Sequence, residues 1–555
     1  MRLFFLFLFL SYNLNSQNLN VNNDFFYETL RYSILDNTLE TNFSFNIKPI
    51  NSEYLNSDFN FNSIYESKNG KIKIKSLGLD YFTEFNSSRP YNRNNGTMIP
   101  NRGYQHILSP GIYLKLGPLS ISFKPEHHYS ENKKFDGFWE GHYDEIWVKR
   151  YRLWNKIDIP ERFGTTRHNQ TTFGQSNIKL NWKFLSIGIS SENIWWGPSF
   201  RNGIMMSNHA QGFKHLTFNT NKPLTTFIGD FEWQIISGRL ESSGYTPPRT
   251  NFVYAGTKVY IPKINQRGEL NDWRYLQGYI FSYSPKWIKG LSFGIIRWVQ
   301  MYSSLVEGKY YWIDGNTTYF PAFQNFFRKN DKYEDYEQQT DQAAGIFFKW
   351  LWLDSKSEFY FELHHNDSKN NFRDLFLDTD HSRAFTMGLQ KIFLIGQNKI
   401  LFGWEWTQME QTAGRLLRDA GSWYEHTYVV DGYTNKGEVI GSSIGPGSNS
   451  NYIFLNYIKK NQKIGLSIEI VEHDNDFYYE AFDSANDYRR YWKDINIGIK
   501  FNKRLDNFII SSNLILIRSL NYQWELNDNE TPYYHSGKDL NNLSFSFKLT
   551  YLPGF

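Results

Sequence analysis

The 555-residue sequence contains no cysteine. That absence excludes disulfide scaffolds, cysteine-ligated zinc, thiol nucleophiles and a lipid-anchored cysteine. Long apolar runs are missing too: past residue 10 nothing approaches the ~18 uncharged apolar residues of a membrane-crossing helix. Charge of one sign is scarce, because 60 Lys and Arg face 56 Asp and Glu for a net +4. A nucleic-acid binder needs a concentrated basic face, so no nucleic-acid partner is expected. No Walker loop and no HExxH motif occurs, and no Gly-x-Ser-x-Gly elbow is expected. No enzyme, cofactor or metal site is therefore expected.

Aromatic residues, by contrast, are abundant. Phe 47, Tyr 38 and Trp 18 make up 19% of the chain, while mean hydropathy is only −0.57. A chain that is aromatic yet hydrophilic on average fits neither an ordinary cytosolic enzyme nor a helical membrane protein. Met1-Arg2, the Leu/Phe run Leu3–Leu10 and a polar exit to Ser16 have the layout of a secretory signal peptide, residues 1–16. Residues 17–70 read as a short N-terminal periplasmic element. Asp24 caps a helix with Phe26, Leu30 and Ile34 at four-residue spacing, and Phe43, Phe45 and Ile47 then alternate in an extended stretch.

From about residue 71 to 555 the period becomes two. Ile112, Leu114 and Leu116 turn through Gly117-Pro118 into Leu119, Ile121 and Phe123, which is a β-hairpin pattern. Strands are expected at 73–85, 105–116, 119–129, 176–183, 185–192, 214–220, 226–240, 273–284, 290–300, 343–351, 357–365, 383–392, 398–408, 451–460, 463–473, 490–502, 507–518 and 540–551. The connections alternate between one to five residues and long polar loops such as 130–175, 301–342 and 409–450. Short turns on one side and long loops on the other define an outer-membrane barrel, the one sheet without an edge facing lipid. The fold class is thus all-β: a transmembrane antiparallel β-barrel of about 18 strands with a short N-terminal helical and extended element. A soluble propeller would show four-strand repeats, and no internal repeat is found. The aromatic excess suits girdles at both membrane interfaces. The last strand alternates Leu543, Phe545, Phe547, Leu549 and Tyr551 and ends at Phe555, like the signal read by barrel assembly machinery.

Three blocks stand out in the loops. They are Trp195-Trp196-Gly197-Pro198, then Ser207-Asn208-His209-Ala210, then Trp423 and His426 leading to Asp431-Gly432-Tyr433-Thr434, Gly437, Gly441 and Ile444-Gly445-Pro446. A weaker piece is Glu362 with Asp367, Arg373-Asp374 and His381-Ser382. Together these blocks resemble the Wzi family of capsule-assembly outer-membrane proteins. The resemblance implies an outer-membrane barrel with periplasmic N-terminal helices. It also implies a lectin that assembles or retains capsular polysaccharide at the cell surface. His209 departs from the asparagine expected at its position.

The loops also carry aromatics, among them Phe138, Trp139, Tyr143, Trp147, Tyr151 and Trp154, and Tyr310, Tyr311, Trp312, Tyr319 and Phe320. Ring faces beside polar groups suit sugar rings, and the same residues suit loop cores. Lys149, Arg150 and Arg152 suit an acidic polymer, lipopolysaccharide phosphates or plain solvation. Candidates for polysaccharide binding or loop structuring are Trp147, Arg150, Arg152, Trp195, Trp196, Arg201, Ser207, Asn208, Trp423, His426, Asp431 and Tyr433. The pairs Glu140/Asp144 and Asp474/Asp476 are ordinary acidic loop residues rather than a glycosidase pair. His127-His128 and His364-His365 are adjacent on strands and face opposite sides, so neither pair chelates a metal. The expected function is a barrel that binds capsular or exopolysaccharide, with outer-membrane lipid, lipopolysaccharide and the assembly machinery as partners. The rival is a porin-like diffusion channel, distinguished by an open lumen. An outer-membrane hydrolase is a third reading, for which no converging catalytic residues are seen.

Overall fold

In the computed structural model the period-two segments form one closed antiparallel sheet of 18 strands. The structure describes residues 18–22, 24–55, 63–263, 272–306, 319–323, 340–366, 372–396, 398–418, 420–459, 461–482, 491–525 and 537–553. The signal-peptide segment, Tyr310, Tyr311, Trp312, Asp367 and Phe555 lie outside these residues. The strands are β1 Ile72–Asn86, β2 Gly103–Leu116, β3 Leu119–Phe123 with Glu126–Ser130, β4 His168–Thr172 with Asn177–Trp182, β5 Leu185–Ser190 and β6 His215–Thr220. Next come β7 Gly229–Leu240, β8 Arg274–Pro285, β9 Leu291–Tyr302, β10 Asp341–Trp352, β11 Ser357–Asn366 and β12 Arg383–Ile395. The last six are β13 Asn398–Gln408, β14 Asn449–Lys459, β15 Gln462–Glu472, β16 Lys493–Leu505, β17 Phe508–Leu520 and β18 Leu540–Tyr551.

Each strand pairs with the next, and β18 closes on β1, with Ser544 opposite Asn86 and Tyr551 opposite Leu79. The start of β1 pairs instead with Ser63–Glu66. Between these two stretches β1 bulges at Ser76/Gly78. Gly78 has φ +80°, and a Cβ there would lie 2.5 Å from the Tyr551 carbonyl oxygen, so the bulge admits only glycine.

Alternation sets which side chains meet lipid. On β15, Ile464, Leu466, Ile468 and Ile470 are exposed outward, whereas Lys463, Gly465, Ser467 and Glu469 point to the lumen. On β13 the outward row is Ile400, Phe402, Trp404 and Trp406 and the inward row Leu401, Gly403, Glu405 and Thr407. No helix among the described residues is long and apolar enough to cross a membrane.

β4 begins earlier than its apolar alternation indicates. His168–Thr172 pairs with Glu126–Ser130, but His-Asn-Gln-Thr-Thr is polar on both faces, so hydropathy carries no sign of it. The two halves of β3 are interrupted at Pro125, which has no N–H for the ladder.

The lumen is filled from both ends. At the short-turn end, helix α1 (Asp24–Leu35) buries Phe26, Tyr27, Leu30 and Leu35. Its polar face ties to lumen-facing residues of the staves. Glu28 accepts from Lys463 and from Lys500 (2.5 Å), and Arg31 donates to Glu358 at 2.5 Å. Asp36, just past the helix, pairs with Lys356 (2.9 Å) and Lys399. From the long-loop end, two helices fold over the mouth: α2 (Asp144–Trp154) and α3 (Asn475–Phe482). The main apolar core lies in these loops and the upper lumen and contains Trp147, Trp154, Trp196, Trp298, Trp423 and Trp524.

Candidate functional site

The tryptophan-glycine-proline block enters the barrel and is pinned there by carboxylates of the strands. Trp195 and Trp196 pair with Lys48 and Ile47 of the N-terminal element. Trp196 is fully buried and donates from Nε1 to Gln234 Oε1 at 2.8 Å. Gly197, at φ +104°, lets the chain pass Glu362, whose Oε1 would lie 2.6 Å from an added Cβ. Glu362 accepts from the Ser199 amide at 2.8 Å. Glu405 accepts from the amides of Phe200 (2.8 Å), Arg201 (3.2 Å) and Asn202 (2.7 Å), and from the Tyr360 hydroxyl (2.6 Å). Arg201 reaches both oxygens of Glu469, at 3.2 and 2.7 Å.

The remaining blocks close over this segment. Ser207 Oγ donates to the Gly441 carbonyl (2.6 Å), and Asn208 Nδ2 donates to the Asn94 carbonyl (2.7 Å). His209 is buried, and desolvation pushes its imidazole down to about 3, so it is neutral. Trp423 is fully buried beside Tyr424, whose hydroxyl donates to the Ile204 carbonyl at 2.9 Å. His426 Nδ1 accepts from the Val429 amide (2.9 Å) and shapes the turn before Asp431. Asp431 accepts from Tyr302 (2.6 Å) and Ser242 (2.7 Å). Tyr433 donates to the Met205 carbonyl at 2.8 Å and stacks on Trp298 with ring centroids 3.9 Å apart. These residues hold the loops together, and all but the half-buried His426 are buried.

The mouth is organised by α2 and α3. Trp147 and Trp154 are buried under α2, and the Arg150 guanidinium lies 4.8 Å from the Trp154 ring and 5.2 Å from Phe477. Burial lowers the Arg150 pKa, and Asp474 stands 3.8 Å away as its counter-charge. Asp474 also caps α3, accepting from the Phe477 amide at 3.1 Å. Asp476 accepts from the Gln411 amide (2.9 Å) and Ser422 (2.8 Å). Burial pushes Asp474 up to about 7 and Asp476 up to about 6. Lys149 and Arg152, in contrast, face outward and share Glu480 at 3.1 Å each. Tyr143, Tyr319 and Phe320 are exposed on the same side of the barrel.

His128 and His364 are buried while His127 points away from the lumen. His364 Nε2 meets Glu362 at 3.1 Å, a structural contact. The segment Gly441-Ser442-Ser443-Ile444-Gly445 has the Gly-x-Ser-x-Gly spacing of a hydrolase elbow, but it lies in an irregular loop with no helix after it. That chemistry requires a strand-to-helix turn. The strand carboxylates Glu405 and Glu469 were not among the expected site residues. Their signal was available: each is a lone acid between apolar outward neighbours, Trp404-Glu405-Trp406 and Ile468-Glu469-Ile470.

Comparison with known proteins gives three findings. A family model described as capsule assembly protein Wzi matches residues 94–488. A comparison of the sequence with curated proteins finds no match. Among solved structures, the chain is similar to Wzi of Escherichia coli, described as a carbohydrate-binding β-barrel involved in group 1 capsule assembly. That likeness has TM-score 0.56 and 11% identity and covers 96% of this chain and 98% of the other. Likeness to OpdL of Pseudomonas aeruginosa is lower, with TM-score 0.39 and 10% identity over 86% of this chain and 98% of the other. The matched span, well over half of the chain, leads to one conclusion: this chain belongs to the Wzi capsule-assembly family of outer-membrane β-barrels.

Proposed function

We propose that this protein is a surface lectin that binds capsular or exopolysaccharide and retains it on the cell. The observation that carries this reading is the capped mouth. The core-forming side of α2 (Trp147, Arg150, Trp154) is locked, which presents Lys149, Arg152 and the nearby Tyr143 on a rigid outward surface. Aromatic faces with adjacent cations suit an acidic glycan, and many weak contacts along a repeating chain add by avidity. The lipid-facing bands anchor the barrel, lipopolysaccharide surrounds it, and the N-terminal element closes its periplasmic mouth. The mechanism is non-covalent retention with no bond made or broken.

Gene deletion tests the reading by quantifying cell-attached and released polymer. Attached polymer should fall while released polymer rises. Unchanged amounts of both would remove the anchoring role. The double variant Lys149→Ala/Arg152→Ala should lower retention of an acidic polymer several-fold at low salt and less at high salt, because exposed ion contacts are screened. Equal retention at all salt concentrations would place the contact elsewhere.

A further inference from the structure

Between α1 and the inner wall the lumen leaves a cavity of about 290 Å³. Its origin is in the sequence. The inward positions of β15 to β18 include Gly465, Ser467, Gly498, Ser511, Ser544 and Ser546, which are too small to reach the plug. The size is near the lower limit of small-molecule sites, about 300 Å³.

The wall carries nine Lys and Arg against six Asp and Glu. Five of the cations are answered: Arg31 by Glu358, Lys124 by Asp80, Arg201 by Glu469, and Lys463 with Lys500 by Glu28. Lys48, Arg93, Lys349 and Lys548 have no carboxylate within 4.0 Å among the described residues. Of the remaining wall acids, Asp24 acts on Lys48 and Lys548 from beyond ion-pair distance with its carboxyl pushed up by burial, and the other two are occupied by neutral donors. Glu84 accepts from Asn86 and Gln105, and Glu126 from Asn22 and Gln175.

Lys48 is the centre of this imbalance. Its ammonium lies 4.8 Å from the Trp195 ring and 5.3 Å from Tyr27. Desolvation, with Arg31 and Lys349 close by, pulls its pKa down to about 7, the behaviour of a cation that lacks a counter-ion. Arg31 Nη2 and Trp195 Nε1 are buried donors with no protein acceptor. The side-chain amide oxygens of Asn22, Asn94 and Asn208, all residues of the cavity wall, accept nothing from the protein. Lys349 and Lys548 donate to the Ser44 and Asn22 carbonyls, which leaves their charge unneutralised; cations without a carboxylate call for an anionic group, and free amide oxygens for hydroxyls.

We propose that the lumen cavity is a binding site for one small acidic sugar, its anionic group held by Lys48, Arg31 and Lys349. This site is separate from the polymer surface at the mouth and does not depend on it.

The test is calorimetric titration of the full-length protein in detergent with glucuronate, glucose and inorganic phosphate, each alone. Glucuronate should saturate one site and phosphate should compete with it, while glucose should not bind measurably. Lys48→Met should weaken glucuronate about tenfold, the size of one lost charge-assisted contact, and Lys48→Arg should restore most of it. Heat-modifiable gel migration of each variant checks folding, and Lys349→Met serves as the second probe if Lys48→Met does not fold. The proposal is overturned by no saturable glucuronate binding, by equal binding of glucose, or by unchanged affinity in a folded Lys48→Met variant. Phosphate binding without glucuronate binding would make this an inorganic-anion site and overturn the sugar assignment. Polymer retention by cells carrying Lys48→Met should remain at the wild-type level, so failure of this site and failure of the lectin reading are read separately.

Discussion

Glu405 accepts three loop amides and a tyrosine hydroxyl at once. Removing it strands those donors in a buried environment, where each unsatisfied group is costly. Glu405→Ala should lower the local opening free energy of residues 198–206 by about 3 kcal/mol, measured by hydrogen exchange on the folded barrel. Glu405→Gln should cost less, because its amide keeps an acceptor oxygen. Unchanged protection of 198–206 in Glu405→Ala would show that the clamp does not hold the loop. The tryptophan block was visible in the sequence because Trp-Trp-Gly-Pro is a rare string. A lone acid between two outward tryptophans marks Glu405 as an inward carboxylate, but nothing around it names the loop that it holds. What a residue does to a loop two hundred positions away leaves no mark on local periodicity.

The strands were legible as elements because every one repeats the same rule, apolar outward and polar or small inward, with a turn or loop between. All eighteen lie where alternation placed them; the fully polar start of β4 and the short strand Ser63–Glu66 beside β1 escaped. Helices α2 and α3 escaped for a different reason. Ile146, Trp147, Tyr151, Leu153 and Trp154 form one buried side of α2, but Arg150 falls in the middle of it and breaks the apolar stripe in the sequence. The joint of these helices should respond to pH. Asp474 and Asp476, raised to about 7 and 6 by burial, hold protons in the folded state that the unfolded segment releases near its ordinary value of 3.8. The folded form therefore binds more protons between about pH 4 and 7, and its stability falls as pH rises through that window. Arg150 and Arg415 oppose the effect, and Glu480 adds to it at Asp474. Exchange of α3 amides, corrected for intrinsic rates, should speed up from pH 5 to pH 8, and Asp474→Asn should flatten the change. Protection that grows with pH would contradict the sign. At the seam, Gly78→Val forces a side chain against the Tyr551 carbonyl. Heat-modifiable, folded barrel should drop several-fold, and full yield would show that the bulge tolerates a Cβ.

For the molecule as a whole the question is whether solutes pass. The described lumen is occupied by α1 from the turn side and by the clamped loops from the other. Wild-type protein in a planar bilayer should therefore show little steady conductance. Deleting residues 18–55 should raise it, because the Gly- and Ser-lined wall of β15 to β18 would then border open space. A large wild-type conductance would revive the diffusion-channel reading. The position of α1 also constrains time. It precedes β1 in the chain, yet it is tied to β11, β15 and β16, staves from the second half of the chain. A segment fastened to those staves is enclosed when the first and last staves meet. The ion pairs of Glu28 and Arg31 thus give assembly an order: the occupant is seated first, and the wall is sealed around it.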